Sequence, residues 1–380
     1  MRLASRVIAA LILVLLSAPV VGARQGMTHD FVFRWSFDTG AQVAQTPVID
    51  NGTVYVATQD GDLFALDLES GTDLWSVPTG LGFSLDPTIV DGIIYVANQA
   101  GPLSAIDSES ATRLWMAPNV ASRGGGGPAA ADGMAFINSF GPDGGVLTGL
   151  DAATGDTIWT RPLGSATFGS PSVLDGRVYV TGIASASASA DTLPAILAFD
   201  AATGEEIWRG SADAPLVLAG ASGGLVFATG PAGLVALDAA TGAAVWTFQP
   251  GPDAPGGTWA VDGPAIHDGV LYVGTAIAMG GNPNPSSGGM VYALDVATGE
   301  LMWATEIEGG VAQGPVAAGD FVAVVAGLQR GLYVLDASVG EVAWYNPQRT
   351  TAATALAASD GWLIVADQDG AVAAWENLIS

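Results

Sequence analysis

Seven times along this chain an aspartate stands eight positions before a tryptophan: Asp67 and Trp75, Asp107 and Trp115, Asp151 and Trp159, Asp200 and Trp208, Asp238 and Trp246, Asp295 and Trp303, Asp336 and Trp344. A register held over so many copies marks an array of similar units and constrains the fold more than any local propensity does. Four copies carry Thr-Gly between the two anchors, at Thr154-Gly155, Thr203-Gly204, Thr241-Gly242 and Thr298-Gly299. Glycine there permits positive φ, and Asp or Thr can bond nearby backbone amides. Ser110-Ala111 departs from the pattern, so an altered turn is expected in that copy.

Between the anchors lie short runs rich in β-branched and aromatic residues, such as 53–57, 93–97, 178–181 and 270–274. They read as strands. Asn51-Gly52, Asp91-Gly92, Asp132-Gly133, Asp175-Gly176, Asp268-Gly269 and Asp360-Gly361 precede such runs, as tight hairpins require. Each unit therefore supplies about four short antiparallel strands, the blade of a propeller. The last unit, from Asp369-Gly370 to Trp375-Glu376, aligns with Asp60-Gly61 to Leu66-Asp67 and lacks a final strand. The segment 31–37 around Trp35 has no preceding strands, so it is expected to complete that blade. The fold class is all-β: an eight-bladed β-propeller of four-stranded antiparallel blades, its ring closed by the N-terminal strand joining the last blade.

The segments Leu-Asp-Ala-Ala-Thr-Gly-x-x-x-Trp at 150–159 and 237–246 resemble the tryptophan-bearing repeat of pyrroloquinoline-quinone-like (PQQ-like) β-propellers, a family with BamB-type and quinoprotein-like members. The resemblance covers essentially all of 24–380. It implies that the indoles of Trp35, Trp75, Trp115, Trp159, Trp208, Trp246, Trp303 and Trp344 pack between neighbouring blades as structural anchors, with no catalytic duty.

Residues 1–23 stand outside this pattern. Arg2 and Arg6 lead into the apolar run 7–16, followed by Pro19 and the small residues Val21-Gly22-Ala23, the layout of a signal peptide cleaved after Ala23. Residues 24–380 then form one exported propeller domain, in the periplasm, the cell envelope or outside the cell, with no transmembrane segment after cleavage. The chain has no cysteine, so no disulfide, thiol nucleophile or cysteine-bound metal is available. With only His29 and His267, a histidine-rich metal site is excluded too. Every basic residue is arginine and the net charge is −26, which becomes −28 without Arg2 and Arg6. Such a surface repels nucleic acid and anionic lipid.

In a four-stranded meander the first and third turns share one face, and the remaining connections lie opposite. The Asp-Gly and Thr-Gly turns stay short, whereas the insertions 139–145, 184–194, 276–289, 124–127 and 249–263 fall in the other class. One face should therefore carry the variable loops, where repeat proteins place binding surfaces. Segments 249–263 and 276–289 both belong to the sixth blade, so Trp259, Met279, Asn282, Asn284 and Met290 are candidates for one patch. The alternating Ala and Ser of 184–190 read as a flexible loop, Asp367-Gln-Asp369-Gly370 as a plain turn, and His267 as a strand-end or turn residue. The glycines at 124–127 offer backbone amides to an anion, with Arg123 as the sole basic helper.

Two functions stay open. The first is a non-catalytic scaffold, here a monomeric propeller without cofactor or metal, whose partner is another protein or a small ligand. No nucleophile with its own base can be assembled from the sequence. The second, which the resemblance also permits, is a quinoprotein dehydrogenase oxidising an alcohol or sugar with PQQ and calcium. Trp259, Asn282, Asn284 and Arg330 are the candidate cofactor contacts, with Trp259 as a stacking floor for the quinone and Asp262 nearby. Against it, the family's alcohol-oxidising enzymes are much longer, and many use an adjacent cysteine pair.

Overall fold

The computed structural model describes residues 29–379 except 44, 80–81, 83–84, 98–101, 119, 121–125, 142–143, 165–168, 184–193, 211–215, 231–232, 251–256, 260–262, 278–287, 328–330 and 348–352. The signal segment 1–23 and the Ala/Ser run 184–190 lie outside the described residues. Eight antiparallel sheets follow one another along the chain. In chain order blades 1 to 7 span 48–78, 88–117, 129–164, 172–210, 217–248, 257–307 and 316–346. Blade 8 takes three strands from 353–377 and its fourth, outermost strand from Phe31–Asp38. That strand pairs antiparallel with Ala371–Asn377, from Phe31 opposite Asn377 to Asp38 opposite Ala371. The orphan segment around Trp35 thus completes the split blade and closes the ring, as expected.

Strand alternation decides where the core lies. Successive side chains point to opposite faces of a blade, so Val54 packs toward blade 8 while Tyr55 packs toward blade 2. The apolar interior is accordingly eight clusters, one at each interface between neighbouring blades, and no single central core. Each innermost strand pairs on one side only, which leaves its other backbone edge toward the central channel.

The aspartate-to-tryptophan register links these interfaces. The Trp35 Nε1 donates to the Leu68 carbonyl at 2.8 Å, Trp115 to Ala152 at 2.9 Å, Trp159 to Ala201 at 3.0 Å and Trp208 to Ala239 at 3.0 Å. Trp75, Trp246 and Trp303 reach Ser108, Val296 and Ala337 in the same way. Every acceptor directly follows a repeat aspartate of the next blade. Trp344 faces the closing strand instead, its ring centred 5.6 Å from that of Phe31.

The aspartates shape the turns that receive the indoles. Asp238 Oδ1 accepts from the Thr241 amide at 2.8 Å and its hydroxyl at 2.7 Å, while the Gly242 amide donates to the Asp238 carbonyl at 2.8 Å. Asp67, Asp107, Asp200 and Asp295 likewise take the amide and hydroxyl of the Ser or Thr three positions on. Asp151 bonds the amides of Ala153 and Thr154, and Asp336 bonds Ser338 and Val339.

Two expectations need correction. The Ser110-Ala111 turn is not altered: Ala111 takes φ of 57°, donates its amide to the Asp107 carbonyl at 3.0 Å and follows the path of its glycine counterparts. The bonds from Asp107 hold the turn, and alanine accepts a left-handed conformation there. Segment 139–145 is not a loop insertion either. Ser139, Phe140 and Gly141 continue the ladder, pairing with Val146, Gly145 and Gly144, so blade 3 has two eight-residue central strands.

Candidate functional site

The chain enters the innermost strand of six blades through a residue followed by proline: Thr46-Pro47, Asp86-Pro87, Gly127-Pro128, Ser170-Pro171, Gly263-Pro264 and Gly314-Pro315. Proline fixes its own φ and holds the preceding residue extended, so these entries converge on the channel at one end of the ring. They build a collar around a cavity of about 780 Å³. It opens on the face that carries the variable connections, because those segments lead into the innermost strands.

Blade-to-blade contacts fix the collar. The Thr46 amide donates to Asp86 Oδ1 at 2.7 Å, and the Thr88 hydroxyl to the Pro128 carbonyl at 2.6 Å. Asn138, fully buried, donates Nδ2 to the Gly169 carbonyl at 2.8 Å and accepts from the Gly126 amide at 3.1 Å. The Thr181 hydroxyl accepts from the Leu218 amide at 3.0 Å. Glycine is required where backbones meet: a Cβ on Gly127 would stand 2.5 Å from the Asp86 carbonyl oxygen. Because Gly126 N–H already serves Asn138 and Gly169, it is not free for the anion cradle read at 124–127. Residues 124 and 125 of that run lie outside the described residues.

Beside the collar, blade 6 departs from the four-strand pattern. Gly257–Trp259 forms an extra short strand on the upper end of Val270–Ile277, with Gly257 opposite Ile277 and Trp259 opposite Thr275. The two insertions expected to be neighbours therefore touch through a backbone ladder. Thr275 ties this ladder down: its hydroxyl accepts from the Met290 amide at 2.8 Å, and its carbonyl from the amide of Val311, on the connection to blade 7, at 3.1 Å. Met290, expected on the exposed patch, packs against the cluster between blades 5 and 6. The Trp259 backbone has a place in this strand, while its side chain and all of Met279, Asn282, Asn284, Arg330 and Asp262 lie outside the described residues.

Chemically the described collar mixes neutral polar groups with aliphatic ones and is almost uncharged. Gln45, Thr46, Ser170, Ser172 and Gln313 supply its polar side chains, and Asp86 is its one ionisable group. Among the described residues no cluster of three or more His, Cys, Asp or Glu is arranged to hold a metal ion. His267 closes the inner strand Ala265–His267, as its repeat position suggests, and Asp367 caps a plain turn by accepting from the Asp369 and Ala371 amides. The sequence reading placed function on blade 6 and missed the collar. Its signal was available in the residue-before-proline pattern, which recurs in six of the eight blades.

A family model described as outer membrane protein assembly factor BamB matches residues 33–123, 116–211, 194–287 and 287–378. The chain belongs to this PQQ-like repeat family. No curated protein matches. Among solved structures, BamB from Moraxella catarrhalis is similar at 18% identity and TM-score 0.64, covering 91% of this chain and 98% of that one. A quinohemoprotein alcohol dehydrogenase from Comamonas testosteroni reaches 17% identity and TM-score 0.67, over 91% of this chain and 76% of the enzyme. A computationally designed protein, Ika8, reaches TM-score 0.68 at 14% identity, over 89% of this chain and 97% of its own. An assembly factor, an enzyme and a designed chain share the architecture, so these likenesses speak to fold alone.

Proposed function

We propose that this PQQ-like repeat protein is an exported, non-catalytic binding propeller that receives another protein or a small ligand on the face around the collar. The observation that carries the reading is the chemistry of the collar: a cavity of about 780 Å³ whose described lining is glycine, proline, neutral hydroxyl and amide side chains and a few aliphatics such as Leu85, Val217 and Leu356, with one carboxylate. Asp86, its single carboxylate, already accepts the Thr46 amide. Converging backbone groups and neutral side chains bind by hydrogen bonding and shape. Export rests on the sequence of 1–23 and on the family resemblance.

A quinoprotein dehydrogenase is the second reading, favoured by the strand Gly257–Trp259 beside the collar and by the similar alcohol dehydrogenases. PQQ is a planar quinone bearing three carboxylates, and its oxidising chemistry resides in the cofactor. The described lining does not fit it: no basic side chain faces the cavity to meet those carboxylates, and no acidic cluster stands ready for calcium.

The test is to add PQQ and calcium to the purified protein, then follow cofactor absorbance and dye-linked alcohol oxidation. Neither should appear; stoichiometric binding with turnover overturns the scaffold reading. A photo-crosslinking residue at Ser170 should then form an adduct in the native envelope that Gly314→Trp removes at unchanged melting temperature. Adducts from Asp91 alone would move the binding surface to the opposite face.

A further inference from the structure

The seam that closes the ring contains a buried histidine whose hydrogen bonding is dictated by its neighbours. Asn377 is 3% exposed, and its Oδ1 accepts the backbone amides of Asp30 at 3.2 Å and Ile379 at 3.3 Å. The carboxamide must therefore present Nδ2 to His29, whose Nδ1 lies 2.8 Å away. Nδ2 only donates, so Nδ1 accepts, and the imidazole is neutral with its proton on Nε2. That Nε2 is buried and has no hydrogen-bond partner among the described residues. From blade 7, Asp320 Oδ1 approaches the same Nδ1 to 3.8 Å.

One ring nitrogen thus faces two partners in two blades, one suited to the neutral imidazole and the other to the cation. We infer that His29 is a proton-operated clasp on the ring seam. Neutral, it holds Asn377 of blade 8; protonated, it releases Asn377 and pairs with Asp320 of blade 7. Protonation sets an N–H against the Asn377 N–H, and the backbone donors on Oδ1 prevent the carboxamide from turning to accommodate it. The bond lost lies where Phe31 pairs with Asn377, at the end of the strand that closes the ring.

Several acidic groups stand around the seam. Asp30 lies on the histidine's own segment, Asp320 and Asp336 come from blade 7, and Glu376 of blade 8 is engaged by Arg34. Burial pushes the Asp336 carboxyl up, yet hydrogen bonds from Ser338 and Val339 bring it below its ordinary value. The rings of Phe31 and Phe321, centred 6.2 and 6.1 Å from the imidazole, confine it between these partners.

The chain has two histidines, so a long-range ¹H–¹⁵N spectrum of the purified protein reports on His29 with His267 as internal reference. At pH 8 it should show the Nε2–H tautomer. On acidification from pH 8 to 5, hydrogen-exchange protection in the strand Phe31–Asp38 should fall about tenfold, while protection in Arg177–Ile183 holds. His29→Gln has no proton to gain and should abolish the fall. Asn377→Asp offers the cation a carboxylate and should reverse it. An Nδ1–H tautomer at pH 8, or the same loss of protection in His29→Gln, overturns the proposal. If neither variant folds, the wild-type tautomer and titration decide it alone.

Discussion

The indole of Trp159 lies against Gly204 of the next blade so closely that a Cβ on that glycine would stand 2.5 Å from the indole Cδ2. The same glycine has φ of 67°, so both backbone conformation and packing demand it. Gly204→Ala should therefore destabilise the protein by about 2–4 kcal/mol, combining left-handed strain with overpacking at the interface. Urea unfolding measures this; a cost below about 0.5 kcal/mol would mean that the blades slide apart easily.

Ala111 provides the reverse test. It already occupies the left-handed position that glycine holds at Gly71, Gly155, Gly204, Gly242, Gly299 and Gly340. Ala111→Gly should stabilise by about 1 kcal/mol, less the entropy that glycine adds to the unfolded chain. In a protein of this size that corresponds to a melting temperature about 1–2 °C higher. A lower melting temperature would show that the methyl group makes a contact worth more than the strain.

The turn aspartates give the protein an acid limb. The Thr241 hydroxyl and amide hold the Asp238 carboxyl below the usual carboxylate range, and Ser or Thr does the same at Asp67, Asp107, Asp200 and Asp295. A depressed folded value means stability that is present above the unfolded value of about 3.9 and lost as pH falls through the folded one. Asp238→Asn keeps an acceptor but loses the charge. Its deficit in melting temperature should be constant from about pH 7 to 5 and close as the pH is lowered past about 3. A deficit that persists into strong acid would assign the effect to shape alone.

Tyr272 sets an alkaline limb of opposite sign. Burial, followed by the charges of Asp268 and Asp336, pushes its phenol up to about 12. The folded state then retains a proton that the unfolded state releases near pH 10, so this contribution is intact below about pH 10 and lost as the pH rises toward the folded value. Tyr272→Phe should move the alkaline unfolding midpoint upward. Its cost near neutrality should be small, because the hydroxyl reaches the Ala337 carbonyl only at 3.4 Å while Trp303 already bonds it at 2.9 Å. Circular dichroism with tyrosinate absorbance reads both effects; an unchanged midpoint would show that the phenol ionises without unfolding.

What the sequence disclosed depended on repetition. The Asp67-to-Trp75 spacing recurs because every interface needs the same turn and the same indole, so blade count and ring closure around Trp35 were legible. The turn at Ala111 was not, because its geometry comes from bonds to Asp107 that tolerate the loss of glycine. Gly257–Trp259 was missed as a strand for a different reason: it is three residues long, and its pairing is set by Thr275–Ile277, remote in sequence. The collar carries no residue type that announces chemistry. Thr46, Gly127 and Ser170 matter by position, and the residue-before-proline pattern gains its meaning only when the described entries are seen to converge.

Sharing one blade between the two ends of the chain orders events in time. Phe31–Asp38 emerges from the ribosome first, yet its partner Ala371–Asn377 is made more than three hundred residues later. Until that partner appears, the first strand has no ladder to join, and the interface between blades 8 and 1 has only one wall. Such late, non-local pairing is the slow part of β-protein folding. A ring fastened last stays an open ribbon during synthesis, and it locks only after the strand Ala371–Asn377 has been made.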